Sequence, residues 1–189
     1  ETTELSPGPP MRITAEAVPG SLECRSGGER KTALNSEIFA RVWGKVIKDG
    51  HFLLFDWTVK LDPDAVFLPA RLRQHVGRRR PTEMLYFNNC EEGLRGPIEV
   101  ISQGGMKALG MGLDTCIKLL RKEWDGYGED VFLRRCMGLL GIARADDYQL
   151  LTDKDPVPCL SGAVAFHPLK TSEQYFACLE QAEEDHAAG

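Results

Sequence analysis

Two aspartates stand one residue apart in the segment DWTVKLDPDAVFLP, residues 56–69. Asp62 and Asp64 end an apolar run, and the chain returns to apolar residues directly after them. In an extended chain their side chains point the same way, because successive side chains of a strand alternate between its faces. Two carboxylates held close together repel each other, and a divalent cation with oxygen ligands removes that repulsion. Asp62 and Asp64 therefore predict a site for Mn²⁺ or Mg²⁺.

The alternative for these two residues is an ordinary surface turn after a strand. A chain with 12 aspartates contains roughly 0.8 D-x-D pairs by chance, so the spacing alone decides nothing. A second pair, Asp153 and Asp155, lies in the polar, proline-containing stretch TDKDPVP, which is typical of an exposed loop. Context favours Asp62 and Asp64, since ligands of α/β proteins bind beyond the carboxyl ends of strands.

The elements that must position these acids alternate between helices and strands. Helical spacing of apolar residues predicts a helix from about residue 36 to residue 49, with Asn35 or Ser36 as its N-cap. The segment HFLLFDWTVKLD, residues 51–62, is apolar on both faces and predicts a central strand. The other predicted elements are a helix at 69–76, strands at 84–87 and 97–102, helices at 106–120 and 129–140, strands at 148–151 and 163–166, and a helix at 172–186.

This alternation predicts an α/β fold of three layers, α/β/α, with a mostly parallel sheet. A chain of 189 residues is long enough for one good core, and one domain is the expectation. Residues 1–35 are rich in proline, glycine and serine and predict an irregular N-terminal segment. Residues 36–189 form the predicted domain.

Four segments, taken in order, resemble the fringe and core 1 β-1,3-galactosyltransferase-like group of glycosyltransferases, which have the GT-A fold. They are residues 36–76, PIEVISQGGMKAL, GEDVFLRRCMGLLGI and AFHP. The first segment has the family's order of helix, Trp-containing strand, acidic signature, hydrophobic strand and short helix. The sequence departs from the family in two ways. Pro63 stands where the family has an acid, and residues 1–35 are too short and irregular for the family's first nucleotide-binding strand and helix.

The resemblance implies a metal-dependent glycosyltransferase that moves a sugar from a nucleotide diphosphate donor to an acceptor hydroxyl, with inversion. It assigns the metal to Asp62, Asp64 and His167, and the imidazole favours Mn²⁺ over Mg²⁺. It assigns the general base to the acids that open a helix, Asp130 with Glu129 beside it. The alternatives are structural: the helix dipole favours acids in a first turn, and a histidine before a proline is an ordinary surface feature.

Small and aromatic residues give two further candidates. Gly104 and Gly105 would let the backbone approach the donor sugar, and they would equally serve a strand-to-helix turn. Trp124 and Tyr127 would form an apolar platform for a sugar ring, with core packing as the alternative for Trp124.

Composition bears on which classes of partner, and which compartment, the protein is expected to have. The net charge of −5 gives no electrostatic reason to expect nucleic acid, and no apolar stretch approaches the roughly 20 residues of a membrane helix. The resemblance implies a nucleotide sugar donor, a UDP-sugar, and a glycan or glycoprotein acceptor, in the Golgi lumen. Six cysteines without a C-x-x-C pair fit disulfides in the secretory pathway and buried thiols in the cytosol equally well.

A non-catalytic protein is the alternative function. In that case the chain is a transferase-like domain that binds a glycan or a protein partner without turnover. Pro63 and the short N-terminal segment both favour this alternative.

Overall fold

The sheets of the protein join strands that are distant in sequence. The computed structural model describes residues 16–27, 32–155 and 157–187, and the strands found there form three sheets. The strands are β1 (Ser26–Gly27), β2 (Thr32–Ala33), β3 (Trp57–Leu61), β4 (Val66–Phe67), β5 (Leu85–Asn88), β6 (Ile98–Ser102), β7 (Ala143–Asp146), β8 (Leu151–Asp153) and β9 (Ala165–His167). The main sheet has the order β3–β6–β5–β7, the second sheet has the order β4–β9–β8, and β1 pairs with β2.

Most strand pairs are antiparallel, which corrects the prediction of a mostly parallel sheet. In the main sheet β6 runs antiparallel to β3 and to β5, while β5 and β7 are parallel. In the second sheet β4 and β9 are antiparallel, and β8 and β9 are parallel. The connection between β5 and β6, residues 89–97, contains no helix. Parallel neighbours need a long crossover connection, so this short one returns the chain antiparallel.

β3 is shorter than predicted and lies in a different place in the sheet. Residues His51–Leu54 form a 3₁₀ turn, and the strand begins at Trp57. Among the described residues β3 is an edge strand of the main sheet, whereas its apolar sequence predicts a central strand. Leu53 and Phe55 are exposed, so the apolar residues of this segment do not mark it as a buried strand.

The helices agree closely with the predicted ones. They are α1 (Ser36–Asp49), α2 (Pro69–Val76), α3 (Gln103–Leu120), α4 (Glu129–Leu139) and α5 (Ser172–Ala187). α1 ends where Gly50 adopts a left-handed φ of 71°. The hydroxyl of Ser102 caps α3 by accepting from the N–H of Gly105 at 2.9 Å. Asn35 makes no side-chain cap on α1. Its Oδ1 instead accepts from the N–H of Glu129 at 3.0 Å, at the start of α4.

Successive residues of a strand face opposite sides of the sheet, and apolar residues lie on both sides of the main sheet. One face, which includes Tyr86 and Ile101, packs against α1, α3 and α4. The other face, which includes Phe87 and Val100, packs against α2 and against β8 and β9. A third cluster lies between the second sheet and α5. The fold is therefore mixed α/β, with helices on both faces of the main sheet.

Four of the six cysteines form disulfides. Cys116–Cys136 joins α3 to α4, and Cys159–Cys178 joins the loop after β8 to α5. Cys24 is free and exposed. The disulfides agree with one of the two expectations for the six cysteines, and the compartment stays a prediction.

The described part of the N-terminal segment carries a small β ladder. Ser26 pairs with Ala33 and Gly27 with Thr32, so the predicted irregular segment contains the β1–β2 pair. Residues 1–15 of that segment lie outside the described residues, and the domain boundary at residue 35 stays a prediction. Across the described part of the chain, no helix combines the length and apolar character that crossing a membrane requires.

Candidate metal centre and active site

Asp62 and Asp64 lie in the turn between β3 and β4. The N–H of Asp62 donates to the carbonyl of Pro97 at 3.1 Å, and the carbonyl of Asp62 accepts from the N–H of Ala65 at 3.1 Å. The carbonyl of Asp64 accepts from the N–H of Leu169 at 2.9 Å, which ties the turn to the segment after β9. Backbone hydrogen bonds therefore hold both acids at the carboxyl end of β3.

His167 reaches the two aspartates from the end of β9. Because Val66 of β4 pairs with Phe166 of β9, the next residue of β9 lies beside the turn that carries the acids. Ligand atoms of Asp62, Asp64 and His167 all lie within 4.8 Å of one another. The Nε2 atom of His167 is 3.5 Å from Oδ1 of Asp64. The fold thus brings together the three residues that the sequence analysis predicts as metal ligands.

Asp153 orients this histidine. It pairs with His167 in the parallel ladder of β8 and β9, and its Oδ1 is 2.7 Å from Nδ1 of the imidazole. This hydrogen bond lowers the pKa of Asp153 below its ordinary value, so the carboxylate is ionised and accepts the Nδ1 proton. The sequence of TDKDPVP predicts an exposed loop for Asp153. Asp153 is exposed, but it is the last residue of β8 and not part of a loop.

The three side chains fit a divalent cation with oxygen and imidazole ligands. With the proton of His167 held on Nδ1 by Asp153, the lone pair of Nε2 is free on the side of Asp64. The preference for Mn²⁺ over Mg²⁺, which the imidazole favours, stays a prediction. Burial alone raises the pKa of Asp64, but the opposing effects, led by the hydrogen bond from the Lys170 ammonium, outweigh burial and hold the pKa below its ordinary value. Asp64 is therefore ionised at neutral pH.

Lys60 connects the acidic turn to the start of α4. Its ammonium donates to Oδ1 of Asp62 at 2.6 Å, to the carbonyl of Gly96 at 2.7 Å and to Oε1 of Glu129 at 3.1 Å. Its side chain is 10% exposed, and the ammonium lies 4.7 Å from the centre of the Phe39 ring. Burial lowers the pKa of Lys60, but the surrounding carboxylates outweigh burial and raise it, so the lysine is charged.

Glu99 is a second buried titratable group, on the same face of the main sheet as Lys60. It stands opposite Lys60 in the β3–β6 ladder and has no exposed surface. Neither of its carboxylate oxygens has a hydrogen-bond partner. Burial raises the pKa of Glu99 to about 8, and Glu129 and Asp130 add to the effect while Lys60 opposes it. Glu99 is therefore mostly protonated at pH 7, and the negative charge facing Lys60 comes from Asp62 and Glu129.

Asp130 and Glu129 open α4 and have different surroundings. Glu129 bonds with Lys60, while Oδ1 of Asp130 accepts from the N–H of Val131 at 2.7 Å. Burial raises the pKa of Asp130, which makes this carboxylate a better proton acceptor than an ordinary aspartate. Lys60 therefore links the acidic turn to the first turn of α4, which carries both candidate bases.

The two glycines at the start of α3 are required by packing. A Cβ at Gly104 would collide with the carbonyls of Thr82 and Glu83, and a Cβ at Gly105 would lie 2.7 Å from the carbonyl of Leu85. Close approach of the helix to this backbone is sufficient to explain both residues. Contact of Gly104 and Gly105 with a donor sugar stays a prediction.

The two candidate aromatic residues pack against the helical layer. Trp124 lies edge-on to Phe132 with the ring centres 5.6 Å apart. The guanidinium of Arg135 lies 5.3 Å from the centre of the Tyr127 ring, and the Tyr127 hydroxyl donates to the carbonyl of Leu120 at 3.4 Å. Both side chains are partly buried against the first core cluster, so core packing accounts for their positions.

Sequence reasoning missed three residues of this site. Lys60 stands two residues before Asp62, and the alternation of a strand could have placed both side chains on one face. Asp153 is visible in the second D-x-D pair, but its role depends on its register with His167, which the sequence does not show. A lone acid in the apolar segment PIEVIS was the available signal for Glu99. No protein-family model matches this chain, and a search of curated proteins finds no match either.

Proposed function

We propose that this protein is the catalytic core of a metal-dependent glycosyltransferase. It moves a sugar from a nucleotide diphosphate donor to an acceptor hydroxyl and inverts the anomeric centre. One observation carries the proposal: Asp62, Asp64 and His167 converge to within 4.8 Å although the histidine is about a hundred residues away in sequence. The hydrogen bond from His167 to Asp153 supports it, because metal-binding histidines commonly donate their second ring proton to a carboxylate.

Each residue of the site has a role in this reaction. Asp62, Asp64 and His167 would hold the cation, which when bound would supply stabilisation of the negative charge on the departing nucleotide diphosphate. Asp130 takes the proton of the attacking hydroxyl, since burial raises its pKa above that of an ordinary aspartate. Glu129 is the weaker candidate for the base, because its carboxylate bonds with the Lys60 ammonium. Lys60 keeps the metal-binding turn and the helix that carries the base in fixed relation.

The fold, the substrates and the compartment belong to the same proposal. The domain is GT-A-like, which the order of its helices, strands and acidic turn supports, and its strand directions are mixed. The donor is a UDP-sugar bound with Mn²⁺, or with Mg²⁺ in its place, and the acceptor is a glycan or glycoprotein. The protein works in the lumen of the Golgi or elsewhere in the secretory pathway, which its two disulfides support.

A turnover assay tests this function. Purified protein is incubated with each of several UDP-sugars, a panel of glycan acceptors and Mn²⁺, and the release of UDP is measured with and without acceptor. We expect acceptor-dependent release that EDTA abolishes, and a loss of at least a hundredfold in Asp130→Asn. Asp125→Asn, an exposed acid in the segment before α4, is the matched control and should keep full activity.

The outcomes separate this proposal from the alternative. Acceptor-dependent release that persists in Asp130→Asn would remove Asp130 from the mechanism. Metal-dependent binding of UDP without turnover on any acceptor of a broad panel would favour a non-catalytic domain that binds a glycan or a protein partner.

A further inference from the structure

Each aspartate of the proposed metal centre is already paired with a lysine. The ammonium of Lys60 donates to Asp62 at 2.6 Å, and the ammonium of Lys170 bonds with Oδ2 of Asp64. Each of the two carboxylates therefore already has an ammonium group beside it before a cation arrives. A divalent cation that enters alone meets two nearby ammonium groups, and their repulsion lowers its affinity.

The two lysines differ in how firmly they are held. Lys60 is 10% exposed and keeps the carbonyl of Gly96 and the carboxylate of Glu129 as acceptors if Asp62 turns toward a cation. The side chain of Lys170 is 69% exposed, and among the described residues the ammonium bonds with Asp64 alone. Lys170 is thus the lysine that loses its partner when the site fills.

The backbone at Lys170 is fixed although its side chain is exposed. The N–H groups of Lys170 and Thr171 both donate to Oε1 of Gln174, at 3.0 and 3.2 Å. The preceding residue, Leu169, donates to the carbonyl of Asp64. A change of partner by the ammonium therefore needs rotation of the side chain only.

Arg95, a further described cation close to the centre, is not available for such an exchange. Arg95 donates to Glu92 at 3.0 Å, and its guanidinium lies 3.8 Å from Oδ2 of Asp153. Moving it would weaken the support of the carboxylate that orients His167. Of the described cations that pair with acids of the centre, Lys60, Arg95 and Lys170, the geometry leaves Lys170 free to meet an incoming anion.

We propose that Lys170 is a phosphate-binding residue: it neutralises Asp64 in the empty site and transfers its ammonium to phosphate oxygens when a divalent cation enters as a diphosphate complex. This inference rests on the proposed metal centre. The diphosphate supplies the negative charge that the paired aspartates lack, so cation and anion favour each other's binding. By linkage, each must raise the affinity of the site for the other by the same factor.

Titration calorimetry with simple probes tests this coupling. Mn²⁺ alone, inorganic pyrophosphate alone, and preformed Mn²⁺–pyrophosphate are each titrated into the wild-type protein, Lys170→Gln and Lys170→Arg. Competition is followed by the electron paramagnetic resonance signal of free Mn²⁺. Lys107→Gln is the matched control, because Lys107 is an exposed lysine of α3 that bonds with Gln103.

The proposal predicts opposite effects on the two ligands. In Lys170→Gln, Mn²⁺ alone binds as well as or better than in the wild type, and Mn²⁺–pyrophosphate binds about tenfold more weakly. Lys170→Arg keeps most of the affinity for the complex, and Lys107→Gln is unchanged. A purely structural role for Lys170 would weaken both ligands together.

Two results would overturn the inference, and they are distinguishable. If wild type binds Mn²⁺–pyrophosphate and Lys170→Gln binds it equally well, Lys170 is not a phosphate ligand and the metal centre stands. If neither Mn²⁺ nor its complex binds wild type any better than it binds Asp64→Asn, the proposed metal centre itself is wrong, and this inference fails with it.

Discussion

Glu99 lets the electrostatics of the site be tested through folding stability. Its carboxylate is fully buried without a hydrogen-bond partner, and burial raises its pKa to about 8. Replacement by glutamine keeps the shape of the side chain and removes the ionisation. The comparison of wild type with Glu99→Gln therefore isolates the free energy that depends on this one proton.

The sign and size follow from the two pKa values. In the unfolded chain the ordinary value is 4.5, so between pH 4.5 and about 8 the folded protein holds a proton that the unfolded chain has released. Stability from Glu99 is fully present below pH 4.5 and is lost as the pH rises toward 8. The loss is about 1.4 kcal/mol per pH unit, or roughly 3 kcal/mol between pH 5.5 and pH 7.5.

The assay is urea unfolding of both proteins at pH 5.5, 6.5, 7.5 and 8.5. Other titrating groups are common to the two proteins, so they cancel when the free energies of unfolding are subtracted. We expect the free energy of unfolding of Glu99→Gln to rise relative to that of wild type at each step up to about pH 8. Above that pH the difference should level off. Glu173→Gln, an exposed acid at the start of α5, is the matched control for the chemical change.

A difference between wild type and Glu99→Gln that stays constant from pH 5.5 to 8.5 would refute this reasoning. It would mean that Glu99 is ionised in the folded protein at neutral pH. The balance of charges around Lys60 would then have to include Glu99 as an anion.

Two further predictions concern the support of the site. Asp153→Asn should weaken Mn²⁺ binding about tenfold or more by calorimetry, because it loosens the hold on the Nδ1 proton of His167. The control Asp155→Asn should bind Mn²⁺ as wild type does. Equal affinities of Asp153→Asn and wild type would argue against a role of Asp153 in orienting His167. Replacing both Cys159 and Cys178 by serine should lower the free energy of unfolding by about 3 kcal/mol in urea, since the bridge closes a loop of 19 residues; a loss below 1 kcal/mol would contradict this.

The sequence predicted the helices well because their signals are local. Apolar residues at helical spacing and a glycine at the end are sufficient to define α1, and Pro69 at the first turn marks the start of α2. The strand of residues 51–62 was predicted too long, because exposed apolar residues such as Leu54 have the same sequence signal as buried ones. The direction of the strands depends on connections whose path local patterns do not define.

The site was predictable only in part for the same reason. Asp62 and Asp64 stood out because they lie one residue apart at the end of an apolar strand, and His167 was assigned by resemblance. The role of Asp153 follows from the pairing of β8 with β9, which brings together residues of two short strands. Cross-strand registers of this kind involve distant segments, and no pattern within either segment reports them.

The central claim is that a cation binds between the acidic turn and His167. The most direct measurement is electron spin echo envelope modulation of Mn²⁺ added with UDP to the wild-type protein, to His167→Gln and to Asp64→Asn. We predict nitrogen modulation from one imidazole in wild type, its loss in His167→Gln, and little bound Mn²⁺ in Asp64→Asn. Bound Mn²⁺ without nitrogen modulation in wild type, or modulation that persists in His167→Gln, would contradict the claim.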